Sequence, residues 1–132
     1  MRAVILGCGK LGSRLAKKIS ESGHQVVVLD REQEALNQLG PDFKGETLAG
    51  TAFIEENIAR VFEEKTDLVV SVTDSDNYNI MFAQWVKTKF KVPRAIVRVY
   101  DPILAGIYRQ HDLETVCPTN MALAAIQGML KI

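Results

Sequence analysis

The chain has 132 residues, a length that suits one domain and is too short for two ordinary ones. Lysine and arginine together number 16 and equal the 16 aspartates and glutamates, so the zero net charge argues against nucleic acid or an anionic membrane surface as a partner. No apolar run approaches the ~20 residues of a membrane helix, and the two cysteines form no metal-binding cluster. We therefore expect a cytoplasmic protein without direct membrane insertion.

Short apolar or β-branched runs alternate along the chain with longer stretches whose apolar residues recur at helical spacing. In chain order, the first half contains a predicted strand at 3–6, a helix at 11–19, a strand at 25–29, a helix at 32–39, a strand at 45–49 and a helix at 53–62. The second half contains a strand at 67–72, a helix at 76–90, a strand at 95–99, a helix at 102–110 and a strand at 114–117. A closing helix follows, with Asn120 as its cap and 122–126 as its body. This alternation predicts a Rossmann-type α/β fold, a doubly wound parallel sheet of about six strands in the order 3-2-1-4-5-6, with a C-terminal helix.

The sequence GCGKLG at residues 7–12 matches the GxGxxG pattern of nucleotide-binding turns. It follows a predicted strand, opens a predicted helix and precedes an acid, Asp30, by about twenty residues. In such a turn Gly7 permits the tight bend, Gly9 lets the backbone approach a pyrophosphate, and Gly12 lets the helix pack close to the strand. The alternative is a turn that only connects a strand to a helix. The residues of this turn that are assigned to cofactor binding are Gly7, Cys8, Gly9, Lys10, Leu11 and Gly12.

Asp30 ends the second predicted strand, where a carboxylate accepts hydrogen bonds from ribose hydroxyls. A carboxylate here repels a 2′-phosphate, so NADP is disfavoured as a ligand. Arg31 is a further candidate, because an arginine beside this acid can accommodate such a phosphate or stack on the adenine face; the alternative is that it lies in solvent. The alternative for Asp30 is the N-cap of the second helix, and the two roles are compatible.

Other candidates surround the point where the strand order reverses, which is where open α/β sheets bind ligands. Thr73 and Asp74 follow the fourth strand, opposite the glycine turn. Lys10 either reaches a terminal phosphate or is solvated at the start of the helix. Arg98 lies within an apolar run, and a buried arginine needs an anion. That anion is either a ligand phosphate or a carboxylate such as Asp101 or Asp74.

The chain as a whole resembles the nucleotide-binding domain of the RCK/KTN family (TrkA-N type). Members of this family are cytoplasmic regulators of potassium channels and of Trk/Ktr potassium transporters. The stretches that carry the resemblance are residues 4–12, 23–30, 67–79 and 93–102. The first two would fit many Rossmann proteins, whereas the T-D-x-D-x-x-N block that begins at Thr73 and the I-V-R-V-x-D-P block that begins at Ile96 are more diagnostic.

The resemblance implies a regulatory subunit without catalytic residues. Such domains bind an adenine nucleotide, NAD(H) or ATP, ADP or AMP, and pass a conformational change to a membrane-embedded potassium transporter or channel subunit. The resemblance places phosphate on the glycine turn, ribose on Asp30, and the opposite side of the cleft at Thr73 and Asp74. Lys10 stands where many members carry an arginine that reaches the terminal phosphate, and Arg98 matches the arginine of the fifth strand.

Two departures from the family pattern affect ligand recognition. Gly50 and Thr51 stand where the family often has Gly-Asp near the adenine, so they are candidate cofactor-binding residues that lack the acid of the family pattern. Residues 118–120 contain no carboxylate, whereas some members bind a divalent ion through an acid just after the sixth strand. No metal site is therefore predicted.

In the family the final helix crosses to a partner subunit, and the apolar residues of the closing helix would suit self-association as a dimer or a larger ring. A helix packed over the sheet edge would look similar. Residues 1–132 are expected to form one nucleotide-binding domain without the smaller C-terminal lobe that commonly follows, either as a stand-alone subunit or as a fragment. The alternative functions are an NAD-dependent oxidoreductase domain or fragment lacking its catalytic domain, and a nucleotide-stabilised assembly module.

Overall fold

The computed structural model of the chain describes residues 1–50 and 55–132. Within these ranges six strands alternate with six helices. The strands are β1 (Arg2–Leu6), β2 (Gln25–Asp30), β3 (Glu46–Ala49), β4 (Leu68–Ser71), β5 (Arg94–Arg98) and β6 (Glu114–Val116). The helices are α1 (Lys10–Glu21), α2 (Gln33–Asn37), α3 (Glu55–Val61), α4 (Asp76–Lys89), α5 (Pro102–Tyr108) and α6 (Pro118–Leu130).

The strands form one parallel sheet in the order β3-β2-β1-β4-β5-β6. Parallel neighbours need a crossover connection, and right-handed crossovers place α1 and α2 on one face and α3, α4 and α5 on the other. The direction of winding reverses between β1 and β4, which leaves a crevice at the carboxyl ends of these two strands. The predicted Rossmann-type fold and strand order are confirmed.

Burial of β1 on both faces explains its continuous apolar sequence. Ala3 and Ile5 pack in a cluster with Ala16 of α1, whereas Val4 packs in a second cluster with Phe82 of α4. Successive side chains of a strand point to opposite faces, so each face of β1 needs its own apolar residues. Because β1 is buried on both faces, it provides a rigid support for the glycine turn that follows it.

Several predicted helices differ at their ends from those of the structure; the one predicted at 102–110, for example, ends at Tyr108 as α5. The N–H of Leu39 donates to the carbonyl oxygen of Leu36 over 3.0 Å, a tighter turn than an α-helix makes, so α2 ends at Asn37 while Leu39 stays buried. The predicted helix 53–62 is described from Glu55 onwards as α3, and Phe53 lies outside the described residues.

The closing helix begins earlier than predicted and leaves the body of the domain. Asn120 is not its cap, because α6 starts at Pro118 with Cys117 at the N-cap, and proline suits a first helical turn where its missing N–H costs nothing. The alternative that this helix packs over the sheet edge is wrong, since none of its residues is buried and Met129 is 81% exposed.

Candidate functional site

The turn between β1 and α1 requires glycine at its first position. Gly7 has a φ of +103°, in the left-handed region that favours glycine. A Cβ at this position would lie 2.8 Å from the carbonyl oxygen of Val72, just after β4. The N–H of Gly7 donates to the carbonyl oxygen of Leu29 over 2.8 Å. The turn is therefore held closely between the ends of β2 and β4.

The other two glycines of the turn have different surroundings. A Cβ on Gly12 would lie 1.9 Å from the carbonyl oxygen of Gly7, so only glycine lets α1 approach the turn this closely. Gly9 is the N-cap of α1 and has an ordinary φ of −79°, and no atom lies within 4 Å of a Cβ built on it. The space beside Gly9 is open, next to the first N–H groups of α1, which have no acceptor within the helix.

The glycine turn borders a cleft of about 720 Å³ at the carboxyl ends of the strands. The predicted site residues that line this cleft are Gly7, Cys8, Gly9, Lys10, Leu11, Asp30, Arg31, Thr73, Asp74 and Arg98. Gly12 supports the turn without lining the cleft, and Gly50 is exposed and is not among the lining residues. Thr51 lies outside the described residues. The described site therefore joins the glycine turn to the ends of β2, β4 and β5.

Asp30 connects the end of β2 to the glycine turn. Its Oδ2 accepts a hydrogen bond from the N–H of Cys8 at 2.7 Å, and its Oδ1 accepts one from the N–H of Glu32 at 2.9 Å. The N-cap of α2 is Glu32, so the alternative that Asp30 is that N-cap is wrong. Both oxygens of Asp30 are held by backbone donors, and the carboxylate is fixed at the edge of the cleft.

Cys8 is enclosed within the turn. Burial, together with charge repulsion from the neighbouring Asp30 carboxylate, raises the pKa of its thiol to about 11, against a smaller opposite effect of Lys17. The thiol is therefore protonated at neutral pH and is a poor nucleophile. Because its N–H is bonded to Asp30, that group is directed away from any phosphate at the turn.

Lys10 and Leu11 form the first turn of α1, and both are exposed beside the cleft. The guanidinium of Arg14 donates a hydrogen bond to the carbonyl oxygen of Lys10 over 3.1 Å, which stabilises the backbone of this turn. The exposure of Lys10 is compatible with both of its interpretations, phosphate contact and solvation.

A buried asparagine, Asn79, organises the crevice where the strand order reverses. Its Oδ1 accepts hydrogen bonds from the N–H of Thr73 at 2.8 Å, from the Thr73 hydroxyl and from the Ser71 hydroxyl. Its Nδ2 donates to the carbonyl oxygens of Thr73 and Arg98 at 3.0 and 2.9 Å. Asn79 thus ties the end of β4 to the end of β5.

Asn79 was not predicted as a site residue, although the sequence contained a signal for it. It lies on the same face of α4 as Ala83 and Val86, both fully buried, so a polar residue occupies a core position. A buried amide needs partners for its donors and acceptors, and such a position indicates a hydrogen-bond network.

Arg98 directs its guanidinium into the β4–α4 turn. One terminal nitrogen, Nη2, donates to the carbonyl oxygens of Val72 and Thr73 at 2.9 and 3.1 Å, and it lies 3.7 Å from the carboxylate of Asp74. The side chain is 12% exposed. Its structural anion is therefore Asp74, whereas Asp101 caps α5 by accepting hydrogen bonds from two backbone N–H groups of that helix.

Tyr100 extends the cleft beyond β5 and was missed by the sequence analysis. The guanidinium of Arg98 lies 4.9 Å from the centroid of its ring, and 39% of the residue is exposed. The carboxylate of Asp76, at the start of α4, accepts hydrogen bonds from the N–H groups of Tyr100 and Asp101 at 2.8 and 3.0 Å. The backbone of Tyr100 is thus fixed independently of its ring.

A second aromatic residue, Tyr78, lines the cleft on the side of Asp30. The guanidinium of Arg31 lies 5.2 Å from the centroid of the Tyr78 ring. Burial raises the pKa of the Tyr78 hydroxyl, and a hydrogen bond with Arg31 partly offsets this effect. The contact joins the β2–α2 loop to α4 across the cleft, a long-range pairing that the sequence analysis did not predict.

No metal centre accompanies the cleft in the described ranges. Across residues 1–50 and 55–132, no group of three or more histidine, cysteine, aspartate or glutamate side chains is placed to hold a metal ion. The polar atoms of the cleft are instead backbone amides, carboxylates, hydroxyls and guanidinium groups, which suit a ligand with phosphates and hydroxyls.

Residues 3–118 match the model of the TrkA-N domain. The chain belongs to the TrkA-N domain family. Over 116 residues, this TrkA-N domain is 34% identical to the Trk system potassium uptake protein TrkA of Streptomyces coelicolor. The alignment covers 88% of the chain and 52% of that protein, so the chain spans about half the length of this relative.

Solved structures share the fold of this TrkA-N domain at low sequence identity. The TrkA-N domain of the inner membrane protein ybaL from Escherichia coli has a TM-score of 0.82 and 16% identity, with 98% of this chain and 96% of that chain covered. The Shewanella denitrificans Kef CTD in AMP bound form has a TM-score of 0.74 and 16% identity, with coverages of 98% and 82%. Among the described helices, none has the length and apolar character to span a bilayer.

Proposed function

We propose that this TrkA-N domain is a cytoplasmic nucleotide-sensing regulatory domain of a potassium uptake system or channel. It binds an adenine nucleotide in the cleft and acts on a membrane-embedded partner through conformational change, without catalysing a reaction. The similarity to the Streptomyces coelicolor TrkA protein supports the link to potassium uptake, and the AMP-bound Kef CTD supports an adenine nucleotide as ligand.

The open space beside Gly9 is the observation that carries the nucleotide proposal. A glycine that could accept a side chain without strain, at the N-terminus of a helix that borders a cleft, leaves room for a phosphate against the backbone. The N–H groups at the start of α1 hold the phosphates, with Lys10 as an additional charge, and the fixed carboxylate of Asp30 holds the ribose. The same carboxylate disfavours NADP.

Calorimetric titration of Gly9→Val with AMP, ADP, ATP, NAD⁺ and NADH tests this proposal. The valine side chain enters the cleft without backbone strain, so the variant stays folded and loses the nucleotide binding of the unmodified protein. Gly106→Val is the matched control, because no atom lies within 4 Å of a Cβ there and the residue is not among those that line the cleft. Equal affinity of both variants contradicts the proposal, and substrate-dependent oxidation of NADH favours the oxidoreductase alternative.

We propose in addition that the domain self-associates through α6, at least as a dimer. Residues 118–130 carry no charged side chain, and Leu123, Ile126 and Leu130 are each more than half exposed. On the sheet face that carries α1 and α2, an apolar groove of about 230 Å³ runs between α1 and the strands β4, β5 and β6. The two helices leave this half of the face uncovered. The helix of one copy and the groove of another are both apolar surfaces, and burial of apolar side chains between them favours association.

The groove and the nucleotide cleft share residues, and these residues would couple nucleotide binding to self-association. Leu11, Val72 and Arg98 line both. A nucleotide that shifts these residues changes the surface on which a second copy docks. Ligand binding then favours one arrangement of the assembly, and that arrangement biases the membrane partner by population shift.

A further inference from the structure

Three charged residues follow one another where β2 ends in the cleft. They are Asp30, Arg31 and Glu32, and all three line the cleft. With the ribose on Asp30, as the proposed function has it, a phosphate on the 2′-oxygen of that ribose meets this group of charges. The two carboxylates repel it, whereas the guanidinium of Arg31 is a ligand for it. The placement of Arg31 therefore determines how strongly a 2′-phosphate is rejected.

The guanidinium of Arg31 is engaged on the opposite side of the cleft. It lies 5.2 Å from the centroid of the Tyr78 ring, and a hydrogen bond joins it to the Tyr78 side chain. The contact combines the attraction of a cation to an aromatic face with the use of one guanidinium donor. Arg31 thus spans from the β2–α2 connection to α4.

The Tyr78 ring is the fixed member of this pair. Its backbone N–H donates to the hydroxyl of Ser75 over 3.2 Å, and its ring stacks on that of Phe82 with 6.5 Å between the centroids. Phe82 is buried, so the stack is supported by the core. Arg31, in contrast, is an exposed residue in the two-residue connection between β2 and α2. The ring of Tyr78 therefore sets where the guanidinium lies.

On the basis of the proposed nucleotide function, we infer that Tyr78 is a specificity-determining residue, which disfavours 2′-phosphorylated nucleotides by holding the guanidinium of Arg31 on α4. A 2′-phosphate then meets the carboxylates of Asp30 and Glu32 without the cation that would compensate them. Tyr78 acts through Arg31 and is thus a positioning residue. It also accounts for an arginine directly after the ribose-binding acid in a site that disfavours NADP.

Displacement calorimetry with 5′-AMP and adenosine 2′,5′-bisphosphate tests this inference, because the two ligands differ only by the 2′-phosphate. The unmodified protein binds 5′-AMP more tightly. Tyr78→Leu removes the aromatic face and releases Arg31, so the preference for 5′-AMP falls roughly twofold to fivefold, the range that corresponds to an exposed cation–π contact. Tyr78→Phe keeps the ring, and its preference stays closer to that of the unmodified protein.

The effect of Tyr78→Leu depends on the presence of Arg31. In an Arg31→Ala background the same substitution leaves the preference unaltered, whereas a purely structural effect of Tyr78 on the cleft persists there. Tyr108→Leu is the matched control, since this tyrosine is not among the residues that line the cleft and its loss leaves the preference for 5′-AMP unchanged.

The outcomes separate this inference from the proposed function. An undiminished preference for 5′-AMP in Tyr78→Leu, or an equal fall with and without Arg31, overturns the role of Tyr78 and leaves the nucleotide site intact. Failure of the unmodified protein to bind 5′-AMP or any other adenine nucleotide overturns the proposed function itself.

Discussion

The carboxylate of Asp30 accepts a hydrogen bond from the backbone N–H of Cys8, with an N···O distance of 2.7 Å. This bond joins the end of β2 to the glycine turn after β1, so the groups proposed for ribose and for phosphate are held at a fixed separation. A ligand that contacts both finds them already arranged, which reduces the cost of ordering the site on binding.

Asp30→Ala is expected to weaken the binding of every adenine nucleotide by roughly 1–3 kcal/mol, because a fixed carboxylate–ribose contact is lost. Calorimetry with AMP and NAD⁺ measures the loss, and the melting temperature of the variant shows whether the fold persists. Asp42→Ala removes an exposed carboxylate that does not line the cleft and should leave affinity unchanged. An unaltered dissociation constant for Asp30→Ala rejects the role given to this residue.

Gly12→Ala and Gly128→Ala should change stability in opposite directions. The first places a Cβ 1.9 Å from the Gly7 carbonyl oxygen, so overpacking is expected to cost about 1–3 kcal/mol or more. The second adds a methyl group in open space on α6, where alanine favours the helix by about 1 kcal/mol. Denaturant unfolding of both variants checks this, and a Gly12→Ala protein as stable as the unmodified chain would show that α1 has more room than the structure indicates.

Asn79→Ala is expected to destabilise the domain by more than 2 kcal/mol, since it removes a buried amide that serves both β4 and β5 and leaves buried polar groups without partners. Asn77→Ala, at an exposed position of the same helix, provides the comparison and should cost less than about 0.5 kcal/mol. Urea unfolding distinguishes the two. Similar urea midpoints for both variants would contradict a stabilising hydrogen-bond network around Asn79.

Ile126→Glu should abolish self-association without unfolding the domain. Ile126 is 53% exposed, so the folded chain tolerates the charge, whereas an apolar interface does not. Gln127→Glu introduces the same charge at the neighbouring position of α6. It shows whether the loss of association is specific to Ile126 or follows from any negative charge on this helix. Sedimentation velocity measures the mass: a Ile126→Glu protein that stays associated shows that α6 is not the interface.

Alkaline pH should destabilise the domain through Cys8. The folded-state pKa of its thiol is raised from 9.0 to about 11, so the contribution of this group to stability is fully present below pH 9 and is lost as the pH rises towards 11, where the unfolded chain already binds fewer protons. Cys8→Ala lacks this contribution and should show a flatter stability profile between pH 9 and 11. Identical profiles for the two proteins would contradict the raised pKa.

Much of this fold could be predicted from local sequence, because its strands are buried on both faces. Residues such as Val4, Ile5 and Leu6 record that burial as a continuous apolar run, and the alternation with helices then determines a parallel sheet. The glycine turn and Asp30 could also be predicted, because the spacing between them is a local feature of the sequence. The start of α6 was misjudged because Asn120 is a common cap residue, whereas Pro118 determines the start.

The far side of the cleft depends on contacts between residues distant in sequence. Asn79 bonds to the carbonyl oxygen of Arg98 and Arg31 stacks on Tyr78, and neither pairing follows from helical or strand periodicity. The partner of Arg98 was left open between Asp74 and Asp101 for this reason. Only the folded chain shows that Asp101 is used at the start of α5.

A thermal-shift titration of the unmodified chain with AMP, ADP, ATP, NAD⁺, NADH and NADPH tests the nucleotide site most directly. A ligand that binds only the folded state stabilises it by about 2.7 kcal/mol at a hundred times its dissociation constant, which raises the melting temperature by several degrees. The account predicts such a rise with one or more of the adenine nucleotides AMP, ADP, ATP, NAD⁺ and NADH, and little with NADPH. An unchanged melting temperature with all six, for protein shown by its absorbance spectrum to be free of nucleotide, would contradict it.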